Sequence, residues 1–261
     1  LIYFNVLVLN AFILLLMPIL GIQAIWVRKK ALRLPEPEGQ REYDFNTDLL
    51  HCSDSMAKRT LMIVGDSAAA GVGAKSQDEA LSGSISHLAP KGLLSRVSLH
   101  ATTGLTSGDV VNLLTQIPAK SYCTALVSMG VNDVTKFVSL NAWRINIESV
   151  ASLLKHKFNC QSIIFTALPP MHLFPVIPQP LRTILGIRAY LFNKVLQRYI
   201  AKSDSAQILR INTMEQGSAA RSMKDSGLMA EDGFHPSSKG YAVWANQVVQ
   251  LIIKDESGAQ K

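Results

Sequence analysis

Residues 61–70 read LMIVGDSAAA. Four apolar residues in a row suit a strand buried on both faces. Gly65 then permits a sharp turn or close approach by another segment, and the alanines after Ser67 favour helix. The stretch predicts a strand, a turn and a helix start, with Ser67 close to the helix N-terminus. There, free N–H groups and the helix dipole favour developing negative charge. A serine before a helix is also an ordinary capping residue, so the surrounding chain has to decide between the two.

Working outward, similar apolar runs recur at TLMIV (60–64), LSRVSLHA (94–101), TALVSM (124–129), SIIFTAL (162–168) and AQILRI (206–211). Helical patterns lie between them. Over 139–155, Leu140, Trp143, Ile147, Val150 and Leu154 fall at three- and four-residue steps. From about Ser237, Trp244, Val248, Leu251 and Ile252 share a second helical face, and both tryptophans read as core anchors. Strands alternating with helices predict an α/β fold. The expected form is a three-layer α/β/α domain with a flavodoxin-like, doubly wound parallel sheet of about five strands. In such sheets ligands gather beyond the carboxyl ends of the strands, so polar residues there matter most.

Four groups stand at those ends. Ser67 follows the first strand. Ala101-Thr102-Thr103-Gly104 follows the second, with Ser107 as a plausible helix cap. Gly130-Val131-Asn132-Asp133 follows the third, and Asp232-Gly233-Phe234-His235-Pro236 follows the last. Taken singly they read as a cap, a turn glycine, an Asx turn and a structural histidine. Taken together they supply a nucleophile, a base three residues from a carboxylate that can orient it, and donors for an oxyanion.

These blocks resemble the SGNH hydrolases, also called GDSL esterases. Ser67 in VGDSAAAGVG, Gly104 in ATTG, Asn132 in GVND and His235 in DGFHP stand at the signature positions, and the resemblance runs from about residue 60 to 252. Ala68 replaces the usual leucine after Gly-Asp-Ser. The resemblance implies metal-free hydrolysis of carboxylic esters, thioesters, lysophospholipids or acetylated sugars, with no cofactor. It implies a catalytic triad of Ser67, His235 and Asp232, and an oxyanion hole from the N–H groups of Ser67 and Gly104 with the Asn132 amide. An acyltransferase or deacetylase acting on cell-envelope glycans would use the same triad, and an inactive membrane-tethered binding domain would keep the same fold. Gly65 to Ala69 nearly matches the G-x-S-x-G elbow of α/β-hydrolases, but there the serine follows a middle strand. Ser55-Met56-Ala57-Lys58 matches S-x-x-K without its partner motifs.

The remainder sets the context. The 261-residue chain is 48% hydrophobic and 17% charged, enough for one large core and an appendage. Residues 1–27 carry no charge and are long enough to span a bilayer, so they read as an uncleaved anchor. The chain begins at Leu1 rather than Met, which leaves room for residues before it. Arg28, Lys29, Lys30 and Arg33 supply four charges beside a net +7. They place the larger domain on the cytoplasmic side by the positive-inside rule, with a periplasmic location the alternative. The rest shows no basic stripe with interleaved aromatics, so nucleic acid is not an expected partner. Residues 28–57 read as basic flank and linker, and 58–261 as the catalytic unit. Cys52, Cys123 and Cys160 have neither disulfide-framework nor zinc spacing. Finally, PPMHLFPVIP (169–178) lies at the active edge, and Met171 and Phe174 are expected to wall an acyl-chain site for lipid-like esters. His172 is a rival base with no acid at short spacing.

Overall fold

A computed structural model describes residues 2–30, 32–45, 59–174, 176–211 and 227–259, without the side chains of 2–14 and 256–259. Cys52 and the Ser55–Lys58 match lie outside these residues. The chain opens with helix α1 (Ile2–Lys30), followed by a short strand β1 (Glu42–Asp44) and then β2 (Arg59–Gly65). A four-residue helix α2 (Ser67–Ala70), α3 (Leu81–Leu88), β3 (Leu94–Ala101) and α4 (Ser107–Gln116) come next. After them run β4 (Thr124–Ser128), α5 (Val131–Thr135), α6 (Leu140–His156) and β5 (Ser162–Thr166). The chain continues through α7 (Leu181–Ile200), β6 (Ala206–Leu209) and α8 (Ser238–Ala259).

The sheet has six strands in the order β1-β3-β2-β4-β5-β6. Strands β2 to β6 are all parallel, and among themselves they have the doubly wound 2-1-3-4-5 order. The sequence predicts these five. The sixth, β1, comes from the segment read as linker, pairing Tyr43 antiparallel with Val97 of β3. Both faces are covered, which explains the unbroken apolar run in β2. Met62 and Val64 enter one core, with Trp143, Phe165 and Phe192. Leu61 and Ile63 enter the other, with Ile85, Tyr241 and Trp244. Both expected tryptophan anchors are buried, and the Trp143 indole N–H donates to the Phe192 carbonyl at 3.1 Å.

Among the described residues, no helix is long and apolar enough to cross a membrane. The first half of the expected 1–27 span falls where only the backbone is described, as helix. The second half is partly committed to the domain. Leu20 is 3% exposed within the core, and the Gln23 amide oxygen accepts from Leu181 N–H at 3.1 Å. Leu15, Ile22, Ile25 and Trp26 remain exposed.

Because β2, β3 and β4 are neighbours and parallel, their carboxyl ends converge. Gly65 stands opposite both Ala101 and Ser128, so the segments carrying Ser67, Gly104 and Asn132 leave the sheet side by side.

Candidate active site

The turn after β2 is built around a close approach. A Cβ on Gly65 would lie 1.9 Å from the Ser128 carbonyl oxygen, so no side chain fits there. Asp66 then donates its N–H to that same oxygen at 3.0 Å and caps α2, its carboxylate accepting from Ala68 N–H at 3.1 Å. The helix cap is therefore Asp66. Ser67 is the first helical residue, and its hydroxyl is free for other work.

That hydroxyl lies 2.8 Å from His235 Nε2, across 168 residues of sequence. His235 Nδ1 lies 2.5 Å from Asp232 Oδ2. The other oxygen of Asp232 accepts the backbone N–H groups of Phe234 (2.9 Å) and His235 (3.0 Å), so the turn holds the carboxylate rigidly beneath the ring. Burial works to raise the Asp232 carboxyl, but the His235 ring and these two N–H groups outweigh it and hold it below the usual range. The histidine segment is latched to the serine segment by Tyr241 of α8. Its buried hydroxyl donates to the Val72 carbonyl at 2.7 Å.

Gly104 has φ +88°, a left-handed conformation natural to glycine, and a Cβ there would meet nothing within 4 Å. Its loop is tethered at almost every peptide. Thr102 N–H donates to the Gly65 carbonyl (3.3 Å), and the Lys136 ammonium donates to the Gly104 carbonyl (3.0 Å). The Asn132 amide donates to the Leu105 carbonyl at 3.0 Å, which leaves that nitrogen a second hydrogen. Among the described residues, neither Ser67 N–H nor Gly104 N–H has a protein acceptor.

Behind this loop lies a buried cluster that sequence reasoning missed. Asp133, fully buried, accepts both the N–H (2.8 Å) and the hydroxyl (2.5 Å) of Ser107, and the Asn146 amide donates to the same hydroxyl at 2.8 Å. Burial pushes the Asp133 carboxyl up. The expected cap of α4, Ser107, is instead its first helical residue. The cap is Thr106, which forms a reciprocal capping box with Asp109. The T-x-x-D spacing at 106–109 carries that signal in the sequence.

The loop after β5 departs from expectation. Met171 and Phe174 are 1% and 3% exposed, both inside the core. Neither forms an open wall. Phe174 packs edge-on against Phe234, ring centroids 6.1 Å apart, and so supports the Asp232–His235 turn from below. His172 is exposed on a single 3-10 turn whose backbone lies close to Gly186. A cleft of about 270 Å³ does open beside Asp232, lined by Trp26, Lys30 and Leu32 from the end of α1 and beyond, and by Val176, Glu231 and Phe234.

The GDSL-like lipase/acylhydrolase family model matches residues 63–243. The chain belongs to that family. The matched region holds Ser67, Gly104, Asn132, Asp232 and His235 together, and family membership makes the chain a carboxylic ester hydrolase. No curated protein matches it. Among solved structures it is similar to the psychrotrophic esterase EstA from Pseudoalteromonas sp., at 17% identity and a TM-score of 0.51, covering 78% of this chain and 98% of that one. It is also similar to an acetylxylan esterase from Geobacillus stearothermophilus (15% identity, TM-score 0.51, 76% and 95% covered). A GDSL-family lipolytic protein from Veillonella parvula gives 12% identity and a TM-score of 0.53, with 74% and 97% covered. At these identities the likenesses establish the fold.

Proposed function

We propose that the protein is a serine esterase that hydrolyses acyl or acetyl esters, lipid-like ones included, through an acyl-enzyme on Ser67. The observation that carries this reading is the continuous hydrogen-bonded chain from Ser67 Oγ through the His235 ring to buried Asp232. His235 Nε2 takes the Ser67 proton as Oγ bonds to the acyl carbon. Asp232 fixes the tautomer with Nδ1–H facing it and stabilises the imidazolium that forms. The carbonyl oxygen becomes an oxyanion, held by the unengaged N–H groups of Ser67 and Gly104 and by the second hydrogen of the Asn132 amide. The imidazolium proton passes to the departing alkoxide, which leaves as the alcohol. Water, deprotonated by His235, then cleaves the acyl-enzyme and returns Ser67 and a carboxylic acid.

The cleft between the end of α1 and the Asp232–Phe234 turn sets Trp26, Val27, Leu32, Val176 and Phe234 beside the charged Lys30 and Glu231, and its apolar part offers a surface for an acyl chain. In this reading the N-terminal helix anchors the chain to a bilayer through the residues that the core does not take up, Leu15, Ile19, Ile22 and Ile25 among them, with the domain on the side of Arg28, Lys29 and Lys30. Resistance of the full chain to carbonate extraction from membranes is the expected result, and release by carbonate would overturn the anchor.

The test of the reaction is hydrolysis of p-nitrophenyl esters from acetate to palmitate by the full chain in detergent, beside Ser67→Ala and His235→Ala. Activity lost in both folded variants is the expected result. Undiminished activity in Ser67→Ala would place the nucleophile elsewhere. Ester transfer to an added sugar or alcohol in preference to water would assign the acyltransferase reaction to the same triad.

A further inference from the structure

The catalytic machinery described above lies within residues 65–241. Yet the segment between α1 and β1 reaches the same place. Glu36 Oε1 accepts Thr103 N–H at 2.6 Å, one residue before Gly104. Its other oxygen pairs with Arg41 Nη2 at 2.7 Å, and Arg41 Nη1 donates to the Ala101 carbonyl at 3.0 Å. One ion pair thus grips the Gly104 loop at two of its peptides. The grip is anchored, because the Arg41 carbonyl accepts Leu99 N–H at 2.9 Å, in line with the β1–β3 pairing.

The same segment also reaches the serine helix. Gln77 N–H donates to the Glu38 carbonyl at 2.9 Å, while the buried Gln77 amide donates to the Ala70 carbonyl at 2.8 Å, the last residue of α2. Residues 36–41 therefore bridge the two backbone segments whose N–H groups, Ser67 and Gly104, face no protein acceptor.

We infer that Glu36 and Arg41 are positioning residues that set the Gly104 N–H against the Ser67 N–H for oxyanion binding. The inference rests on the esterase reading above. Oxyanion donors act only when held within a few tenths of an ångström of where the charge develops, and an exposed loop bearing a left-handed glycine has little stiffness of its own. The pair is also balanced electrically. A lone carboxylate one residue from an oxyanion donor would oppose the developing charge, and the Arg41 guanidinium offsets it.

The experiment compares the 261-residue chain with Glu36→Ala, Glu36→Gln, Arg41→Ala and Ser67→Ala on p-nitrophenyl acetate. Glu36→Ala is expected to lower kcat about tenfold while KM moves less than about twofold, short of the about 10²–10³ lost with an oxyanion donor itself. Glu36→Gln keeps an oxygen for Thr103 N–H and is expected to recover much of the loss. Arg41→Ala, which leaves the carboxylate unpaired, is expected to be as slow as Glu36→Ala or slower. Inactivation by an alkyl phosphonate, whose oxygen occupies the same donors, should slow in step with kcat, and amide exchange over residues 102–105 should quicken. An unchanged kcat in Glu36→Ala beside Ser67-dependent wild-type activity overturns this inference alone. A loss of kcat without faster exchange over 102–105 overturns it too. A silent wild type, or an active Ser67→Ala, overturns it together with the esterase reading.

Discussion

Asp66 offers a test of the site's electrostatics that needs no substrate. Its carboxylate caps α2, is 2% exposed, and lies near the buried Asp133. Burial, reinforced by Asp133 and only partly offset by the Ala68 N–H and His235, pushes the carboxyl from 3.8 up to about 7. Between those values the folded chain holds a proton that the unfolded chain has released. Raising the pH through this window therefore favours unfolding, and the loss is complete once the folded group also ionises. The displacement corresponds to about 4 kcal/mol in all, of which about 3 kcal/mol falls between pH 5 and pH 8. Asp66→Asn retains an oxygen for Ala68 N–H and has no charge to bury. Urea unfolding of both proteins at pH 5 and pH 8 isolates the effect, since other titrating groups are common to the pair. The wild type should lose about 3 kcal/mol relative to Asp66→Asn over that range. Parallel pH dependences would refute the argument and mean that Asp66 ionises freely where it sits.

Other outcomes follow from the same geometry. Asp232→Asn should cost up to about 10⁴ in kcat while leaving KM near the wild-type value, because the His235 tautomer is no longer set. The depressed Asp232 carboxyl also adds stability above pH 3.8 that fades as pH falls through its lower folded value, and thermal melts at low pH should show this contribution missing in Asp232→Asn. Gly65→Ala should fail to fold or melt far lower, since its Cβ would sit 1.9 Å from the Ser128 oxygen. Phe174→Ala should destabilise the domain by about 3–5 kcal/mol, read by urea unfolding, and should leave the relative preference among ester chain lengths unchanged.

The parallel sheet is readable from sequence because strands buried on both faces have nowhere to put polar residues. Leu61 to Val64 serve two cores at once, and their pattern shows it. The hydrogen-bonded arrangement of Ser67, His235 and Asp232 is readable for a different reason, since each residue follows a strand whose carboxyl end faces the candidate site. β1 escapes because Glu42-Tyr43-Asp44 is short and charged, with one buried side chain. Its stability comes from pairing with β3, which no local pattern records. Asp133 escapes likewise, since its partner Ser107 is 26 residues away and a buried carboxylate resembles an exposed one in sequence. Met171 and Phe174 are apolar residues in a loop at the active edge, and only their contacts reveal that they face inward.

The three residues of β1 also bear on where the domain is cut. A boundary drawn by composition falls near residue 58, because everything before it reads as tether. Trimming there would strip the antiparallel cover from β3 and leave unpaired backbone donors and acceptors along a strand that carries Leu94, Val97 and Leu99. It would also remove the Glu36–Arg41 pair from the Gly104 loop. A shortened protein of that kind would be prone to edge-to-edge aggregation, and what remained in solution would understate the turnover of the whole chain. A shortened protein that keeps both features begins before Glu36.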